Sequence, residues 1–358
     1  MKKKIFAAVI SLVFLVLSSC NSNPLEAPVV PMTRDYVWSV DTILNYAYMN
    51  KLWGSSPRDV WAIGSPGNFS KTIWHFDGSY WSTDNVFRFF DPTSIYGFSA
   101  NNIWIGGLGG EIWNNQSGYW KKVAVLTKDE NKKDGNKYVV FDNMWGGSPN
   151  DLYAFGADAD DKLLANISVI AHYNGGNWVM LNTDGLQGIV ERFYGNRPDG
   201  KFYVQTYKIG GGQYPDSSLI YEYSPESLSP KKYNKIYGSL WTQGLQADIS
   251  LIDGEVYFVL GNEIAKRVNN QFQTFLRVDN PNFYQRIWGR NSKDIFLLMT
   301  DGLAHYDGTD IEYLFHFNKP RTQISPGEAL FENEVFFLAN EFSTGLYLIF
   351  HGKPNKGG

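Results

Sequence analysis

The stretch Trp53–Gly64 reads WGSSPRDVWAIG, and the chain writes nearly the same phrase, WGGSPNDLYAFG, at 145–156. A looser copy, WGRNSKDIFLLM, begins at Trp288. A phrase that recurs at long intervals marks a repeated supersecondary unit, one that cannot bury its apolar surface alone and must stack on its neighbours. This excludes most folds before any single residue is considered.

Laid in register, each unit has four short segments. In the first, running from Ala47 to about Phe90, a segment ending in Leu52-Trp53-Gly54 precedes Asp59-Val60-Trp61-Ala62-Ile63-Gly64, then Ile73-Trp74-His75-Phe76, then a segment starting at Tyr80-Trp81. Worn copies follow through 193–221, 253–259, 287–308 and 335–349, for seven in all. Segments such as Val60–Ile63 are apolar at consecutive positions, so both of their faces are expected to be buried. The Asp-Gly and Asn-Gly steps at 77–78, 174–175 and 307–308 suit tight hairpins. Four short strands at a period near 45 residues predict an all-β, seven-bladed β-propeller of four-stranded antiparallel blades over residues 36–352, with 353–358 as a C-terminal tail. The seventh copy lacks a fourth strand. Tyr36-Val37-Trp38-Ser39-Val40 resembles the Tyr-Trp openings at 80–81 and 119–120, so residues 36–44 are expected to complete the last blade and close the ring.

These phrases resemble a family of bacterial secreted propeller repeats built on Trp-Gly-x-Ser-Pro-x-Asp-Val-Trp followed by His-x-Asp-Gly-x-x-Trp. The resemblance implies the fold and is nearly silent on activity. The start of the chain is a separate object. MKKK is a basic n-region, Ile5 to Leu17 is an apolar run of signal-peptide length, and Leu17-Ser18-Ser19-Cys20 resembles a bacterial lipobox. The resemblance implies a signal peptide at 1–19, lipidation (palmitate or a related acyl chain) of Cys20, a lipidated tether at 20–35, and attachment to a cell-envelope membrane. With Asn21 after the cysteine this is expected to be the outer membrane, the side undetermined. Cys20 is the only cysteine, so no intrachain disulfide can form.

Removing residues 1–19 takes Lys2, Lys3 and Lys4 and leaves 29 basic against 36 acidic residues. No basic patch suits nucleic acid as a partner. Enzyme signatures are missing: there is no Gly-x-Ser-x-Gly elbow, no His-Glu-x-x-His and no phosphate-binding glycine loop. His75, His172 and His305 occupy one repeat position, with His351 at the equivalent hairpin edge, and they should be spread around the ring rather than gathered on a metal. Asp59, Asp151 and Asp294 open the second strand, where they are expected to accept backbone N–H bonds. No cofactor and no metal ligand set is expected, although the acidic run 157–162 leaves calcium open.

The long insertions fall between second and third strands, at 65–72, 157–167 and 208–218, and between units at 128–137. In an up-and-down blade these connections emerge on one face, and binding concentrates where long loops sit on a rigid scaffold. That face supplies the binding candidates Lys71, Asp158, Asp160, Asp161, Lys162, Tyr207, Tyr214 and Asp216, joined by Trp241, the one tryptophan outside the repeat. The reading is a non-catalytic, lipid-anchored binding propeller for an envelope protein complex or a glycan. The alternative is a carbohydrate-active enzyme on the same scaffold, for which two carboxylates sharing one pocket would speak.

Overall fold

The computed structural model describes residues 34–355 except 44–47, 66, 117, 128–138, 159–166, 211–214, 225–231 and 242–245. Among them, strands β1 to β28 form seven four-stranded antiparallel sheets. Blade 1 is β2 to β5 (Met49–Ser56, Asp59–Gly64, Ile73–Phe76, Trp81–Thr83), and blade 2 is β6 to β9 (Pro92–Ser99, Asn102–Gly107, Glu111–Gln116, Tyr119–Val125). Blade 3 is β10 to β13 (Val139–Ser148, Asp151–Asp158, Ile167–Tyr173, Trp178–Met180), and blade 4 is β14 to β17 (Ile189–Asn196, Lys201–Lys208, Ser217–Tyr223, Tyr233–Leu240). Blade 5 is β18 to β21 (Ala247–Ile252, Glu255–Leu260, Glu263–Val268, Gln271–Arg277), and blade 6 is β22 to β25 (Phe283–Asn291, Asp294–Met299, Gly302–Tyr306, Ile311–His316). Blade 7 is β26 to β28 (Thr322–Leu330, Val335–Glu341, Leu346–Pro354) and takes its outer strand from β1 (Tyr36–Ile43). The fold is a seven-bladed propeller closed by its N-terminal strand, as the repeat predicts.

The apolar runs are buried on both faces because each blade is covered by two others. Every position of β23 is buried. The core is divided into layers between blades: Val60 and Ala62 of blade 1 pack with Phe336, Leu338 and Ile349 of blade 7, and Ile63 packs with Ile103 and Ile105 of blade 2. Each such side chain contributes roughly 1.5–3 kcal/mol by leaving water.

The repeated Trp-Gly step is an interlock between neighbours. A Cβ at Gly97 of blade 2 would lie 2.5 Å from the ring of Trp53 in blade 1, and one at Gly195 of blade 4 would lie 2.8 Å from Trp145 in blade 3. Tryptophan in one unit therefore requires glycine in the next.

The repeat histidines are bonded to acids rather than gathered together. His75 Nε2 lies 2.7 Å from Asp59, His172 Nε2 2.8 Å from Asp151, His305 Nε2 2.7 Å from Asp294 and His351 Nε2 2.6 Å from Glu334. Burial pushes Asp59 and Asp294 up, but hydrogen bonds hold both below the usual carboxylate range, from His75, Ser55 and Trp61 in one case and His305 and Arg290 in the other. These two carboxylates are therefore acceptors and the imidazoles carry the proton on Nε2. Each ring also meets the aromatic residue two positions after the acid: Trp61, Tyr153, Phe296 and Phe336 lie 4.2, 4.3, 4.8 and 3.8 Å from their histidines, centroid to centroid. The expectation that Asp59, Asp151 and Asp294 serve backbone N–H groups is thus corrected, because the nearer donor is the imidazole across the ladder. Blades 4 and 5 keep the clamp with other charges, Lys201–Glu222 at 2.9 Å and Glu255–Lys266 at 2.6 Å.

Ring closure is registered residue by residue from Tyr36 opposite Pro354 to Ile43 opposite Tyr347. Arg290 of blade 6 secures it. Its guanidinium grips Asp294, donates to the Phe331 and Glu332 carbonyls at 2.6 and 2.9 Å, and reaches the Tyr36 hydroxyl at 3.0 Å. Arg34 ties the chain just before β1 to blade 6 through Asp307 and Glu312, each at 3.2 Å.

Candidate functional site

Strand direction gives the propeller two unlike faces. First-to-second and third-to-fourth links are short and share one face; second-to-third and blade-to-blade links share the other. The strand ends flanking 65–72, 157–167 and 208–218 all lie on this second, long-loop face.

The inner strands do something there that their apolar pattern does not announce. Six of the seven slip register close to their long-loop ends: at Met49/Lys51, Pro92/Ser94, Val140/Asn143, Val190/Arg192, Phe283/Ile287 and Ile324/Glu328. A bulge turns a side chain that regular pleating would aim elsewhere. There the strands line an axial cavity of about 330 Å³ with charged residues from five blades: Lys51, Arg192, Arg286 and Glu328 from slipped strands and Asp248 from the regular β18. A second, more open cavity of about 500 Å³ continues it to the long-loop face, where Lys51 is joined by Asp142 and Glu191.

Charges of both signs share this space with few bonds between them. Arg286 Nε donates to Asp248 at 2.9 Å, and Arg192 Nε approaches the same carboxylate at 3.9 Å. Burial holds the Lys51 amine down at about 8, Arg192 pushing the same way. Burial lifts Asp142 to about 7, reinforced by Glu191 and opposed by Lys51. Glu328 is raised by burial against the pull of Arg192, Lys51 and Arg286. Tyr194, beside Arg192, is pushed up to about 12, again by burial. Groups displaced from their ordinary values inside one cavity are the usual mark of a functional site.

Exposed aromatic side chains stand on the same face. Phe87 and Phe89, in the link between blades 1 and 2, are 66% and 80% exposed. Phe69 of the 65–72 link lies 5.7 and 4.8 Å from their rings, centroid to centroid. The Arg88 guanidinium holds Asp84 with two bonds of 3.0 and 2.5 Å, and the Arg88 backbone N–H donates to the Phe69 carbonyl at 3.1 Å, so the phenylalanines are presented by an anchored loop.

Of the residues that sequence reasoning singled out, the described ones are on the long-loop face but not in the cavity. Tyr207, Asp216 and Trp241 meet on blade 4. The Tyr207 hydroxyl donates to Asp216, its ring stacks on Trp241 at 4.5 Å, and the Trp241 indole donates to Ser218 at 2.6 Å. Asp216 also accepts the Gly210 N–H at 2.9 Å, the bond that chiefly holds its carboxyl low. Trp241 is thus a packing residue of this blade edge. Lys71 is exposed on blade 1, where its carbonyl accepts the Trp74 indole at 3.1 Å. Asp158 is buried at the end of β11. Asp160, Asp161, Lys162 and Tyr214 lie outside the described residues, and with them the question of calcium in the 157–162 run. So does Cys20. Among the described residues no three His, Cys, Asp or Glu side chains form a metal site, and no helix is long and apolar enough to cross a membrane.

The cavity residues were missed because each looks like an ordinary surface charge. A faint signal exists: Lys51, Asp142, Glu191 with Arg192, and Arg286 all stand one to three positions before the buried aromatic or apolar pair that ends in glycine.

These features define a class: a seven-bladed propeller with a charged axial cavity open to its long-loop face. Two solved structures are similar to it. YCF48 bound to D1 peptide matches with a TM-score of 0.58 at 14% identity, covering 87% of this chain and 96% of that one. YCF48 from Cyanidioschyzon merolae matches with a TM-score of 0.53 at 14% identity, covering 88% and 98%. At such identity the likeness is one of fold. No family model and no curated protein matches the sequence.

Proposed function

We propose that this chain is a non-catalytic binding propeller, anchored to a cell-envelope membrane through a lipid on Cys20, that engages a protein partner with its long-loop face. The observation that carries the reading is the pairing, on that face, of an open charged cavity with the exposed, anchored aromatic rings of Phe87 and Phe89. Exposed aromatic rings bordered by polar and charged groups are the composition of a protein-recognition surface. A similar propeller solved with a bound D1 peptide supports a polypeptide partner over a glycan. The anchor fits the same arrangement. Arg34 and Tyr36 lie at the short-turn face, so β1 enters the propeller opposite the cavity mouth.

The test is purification of the tagged full chain from its native membranes in mild detergent. A stoichiometric protein should accompany it and be lost from a Phe87→Ser/Phe89→Ser variant of unchanged melting temperature. A partner held equally by that variant would refute the surface. Cys20→Ala should release the chain from membranes, and retention would refute the anchor.

A second reading rests on one observation: Asp142 and Glu191 share a cavity, and the first is lifted to about 7, a suitable value for a general acid. Hydrolysis of an oligosaccharide panel, abolished by Asp142→Asn, would establish it. Binding is preferred because, among the described residues, no hydrogen bond orients the Asp142 carboxyl.

A further inference from the structure

The axial cavity deepens the partner-binding reading and rests on it. We propose that the cavity takes a carboxylate, seated among Lys51, Arg192 and Arg286. The argument is an excess of donors. Lys51 Nζ offers three N–H groups and, among the described residues, has no hydrogen bond and no ion pair. Arg286 uses only Nε, on Asp248. Arg192 donates Nη1 to the Glu191 carbonyl at 2.7 Å, while its Nε, 3.9 Å from Asp248, is beyond hydrogen-bond reach. The two guanidiniums thus share Asp248, Arg192 also facing the Glu191 carboxylate at 3.8 Å, and the ammonium beside them has no ion pair among the described residues. Glu328 is the remaining acid of the inner cavity, and burial favours its neutral form.

The ligand's charge follows from what else is near. Asp142 and Glu191 lie at the outer end and would repel a dianion. A single planar carboxylate matches a guanidinium fork and adds one negative charge where one cation is unpartnered. About 330 Å³ holds one acidic side chain or a small organic acid. The protonation of Lys51 supplies an independent readout. Its amine, at about 8, is half charged at pH 8, and an anion beside it offsets both the burial and the Arg192 repulsion that discharge it. Binding at pH 8 should therefore draw in about half a proton.

The experiment is calorimetry of the full chain in mild detergent at pH 8, in two buffers of different ionisation enthalpy. The probes are acetyl-Gly-Glu-Gly-amide, its Gln counterpart, the monocarboxylate butyrate and the diamine cadaverine. An acid should bind with proton uptake. The Gln peptide, and the Lys51→Met variant with either acid, should be weaker by at least about tenfold, and Lys51→Arg should restore binding without the uptake. Binding of the Glu peptide alone assigns the site to an acidic side chain of a protein partner, and binding of butyrate alone to a free acid. Failure of both acids on the unaltered chain, equal binding by Lys51→Met, or preference for the diamine would each overturn the proposal. None of those results touches the outer aromatic surface, whose own failure would show as a partner retained by the Phe87/Phe89 variant.

Discussion

Two blades carry the same acid–histidine clamp at different depths, and the contrast yields a worked prediction. In blade 6, Asp294 and His305 are both 0% exposed; in blade 1, Asp59 and His75 are 16% and 32% exposed. Asp294→Ala removes the carboxylate that receives both His305 and Arg290, and it strands an imidazole whose Nδ1 is already buried without a partner among the described residues. Breaking a buried charged pair from one side costs about 3–5 kcal/mol. Asp59→Ala breaks a pair that water can partly replace, so its cost is about 1 kcal/mol. With an unfolding entropy of about 2.1 cal/mol/K per residue, a propeller of roughly 320 residues loses about 6 °C in the first case and 1–2 °C in the second. Scanning calorimetry, with urea midpoints as a check, measures both. Equal losses in the two variants would refute the account, since burial is the difference that sets them apart.

Three further outcomes follow from the same geometry. Arg290→Ala should speed amide hydrogen exchange along β1 well beyond that in β23, because Arg290 bonds Tyr36 and the 331–332 carbonyls; uniform exchange would deny it that role. His351 is held below its ordinary value, chiefly by burial and against the pull of Glu334. Its contribution is whole above about pH 6.5, where the unfolded residue is neutral too, and is lost as pH falls toward the lowered native value. His351→Gln should remove that step from a plot of stability against pH, leaving the loss at lower pH where Asp59 and Asp294 take up protons. Lys51→Met should stabilise the fold. Holding an amine at about 8 instead of 10.5 is equivalent to ~3 kcal/mol as an upper bound, so about 1–3 kcal/mol should be recovered near pH 7. The unaltered chain should gain stability as pH rises from 8 to 10.5, and the variant should lack that slope; a variant no more stable than the parent would show that Lys51 is well solvated.

The stability gained by Lys51→Met and the ligand it should lose are two sides of one fact. A cation kept in the cavity without a partner among the described residues is a cost to the fold, and such costs are retained where a ligand recovers them. The repeat histidines are the opposite case. His305 is buried and titratable, yet it is bonded and stacked on Phe296 into a structural clamp.

The blade count, the strand order and the closing role of Tyr36–Ile43 were legible in the sequence, because they depend on local patterns: consecutive apolar positions, Asp-Gly hairpins and a unit written seven times. The long-loop face was legible too, since the alternation of connections in an up-and-down blade is a matter of strand direction. The same logic fails for single residues on that face. Tyr207, Asp216 and Trp241 stood out as candidates, but they spend their polar atoms on each other and on blade 4. Lys51, Arg192, Asp248, Arg286 and Glu328 are scattered over nearly 280 positions, each an unremarked charge in its own unit. Only closure of the ring brings them to one axis, and at four of the five a register slip at the strand end accompanies the inward turn, Asp248 on regular β18 being the exception. A repeat pattern specifies how each unit packs on the next. The centre, where all seven meet, has no counterpart along the chain.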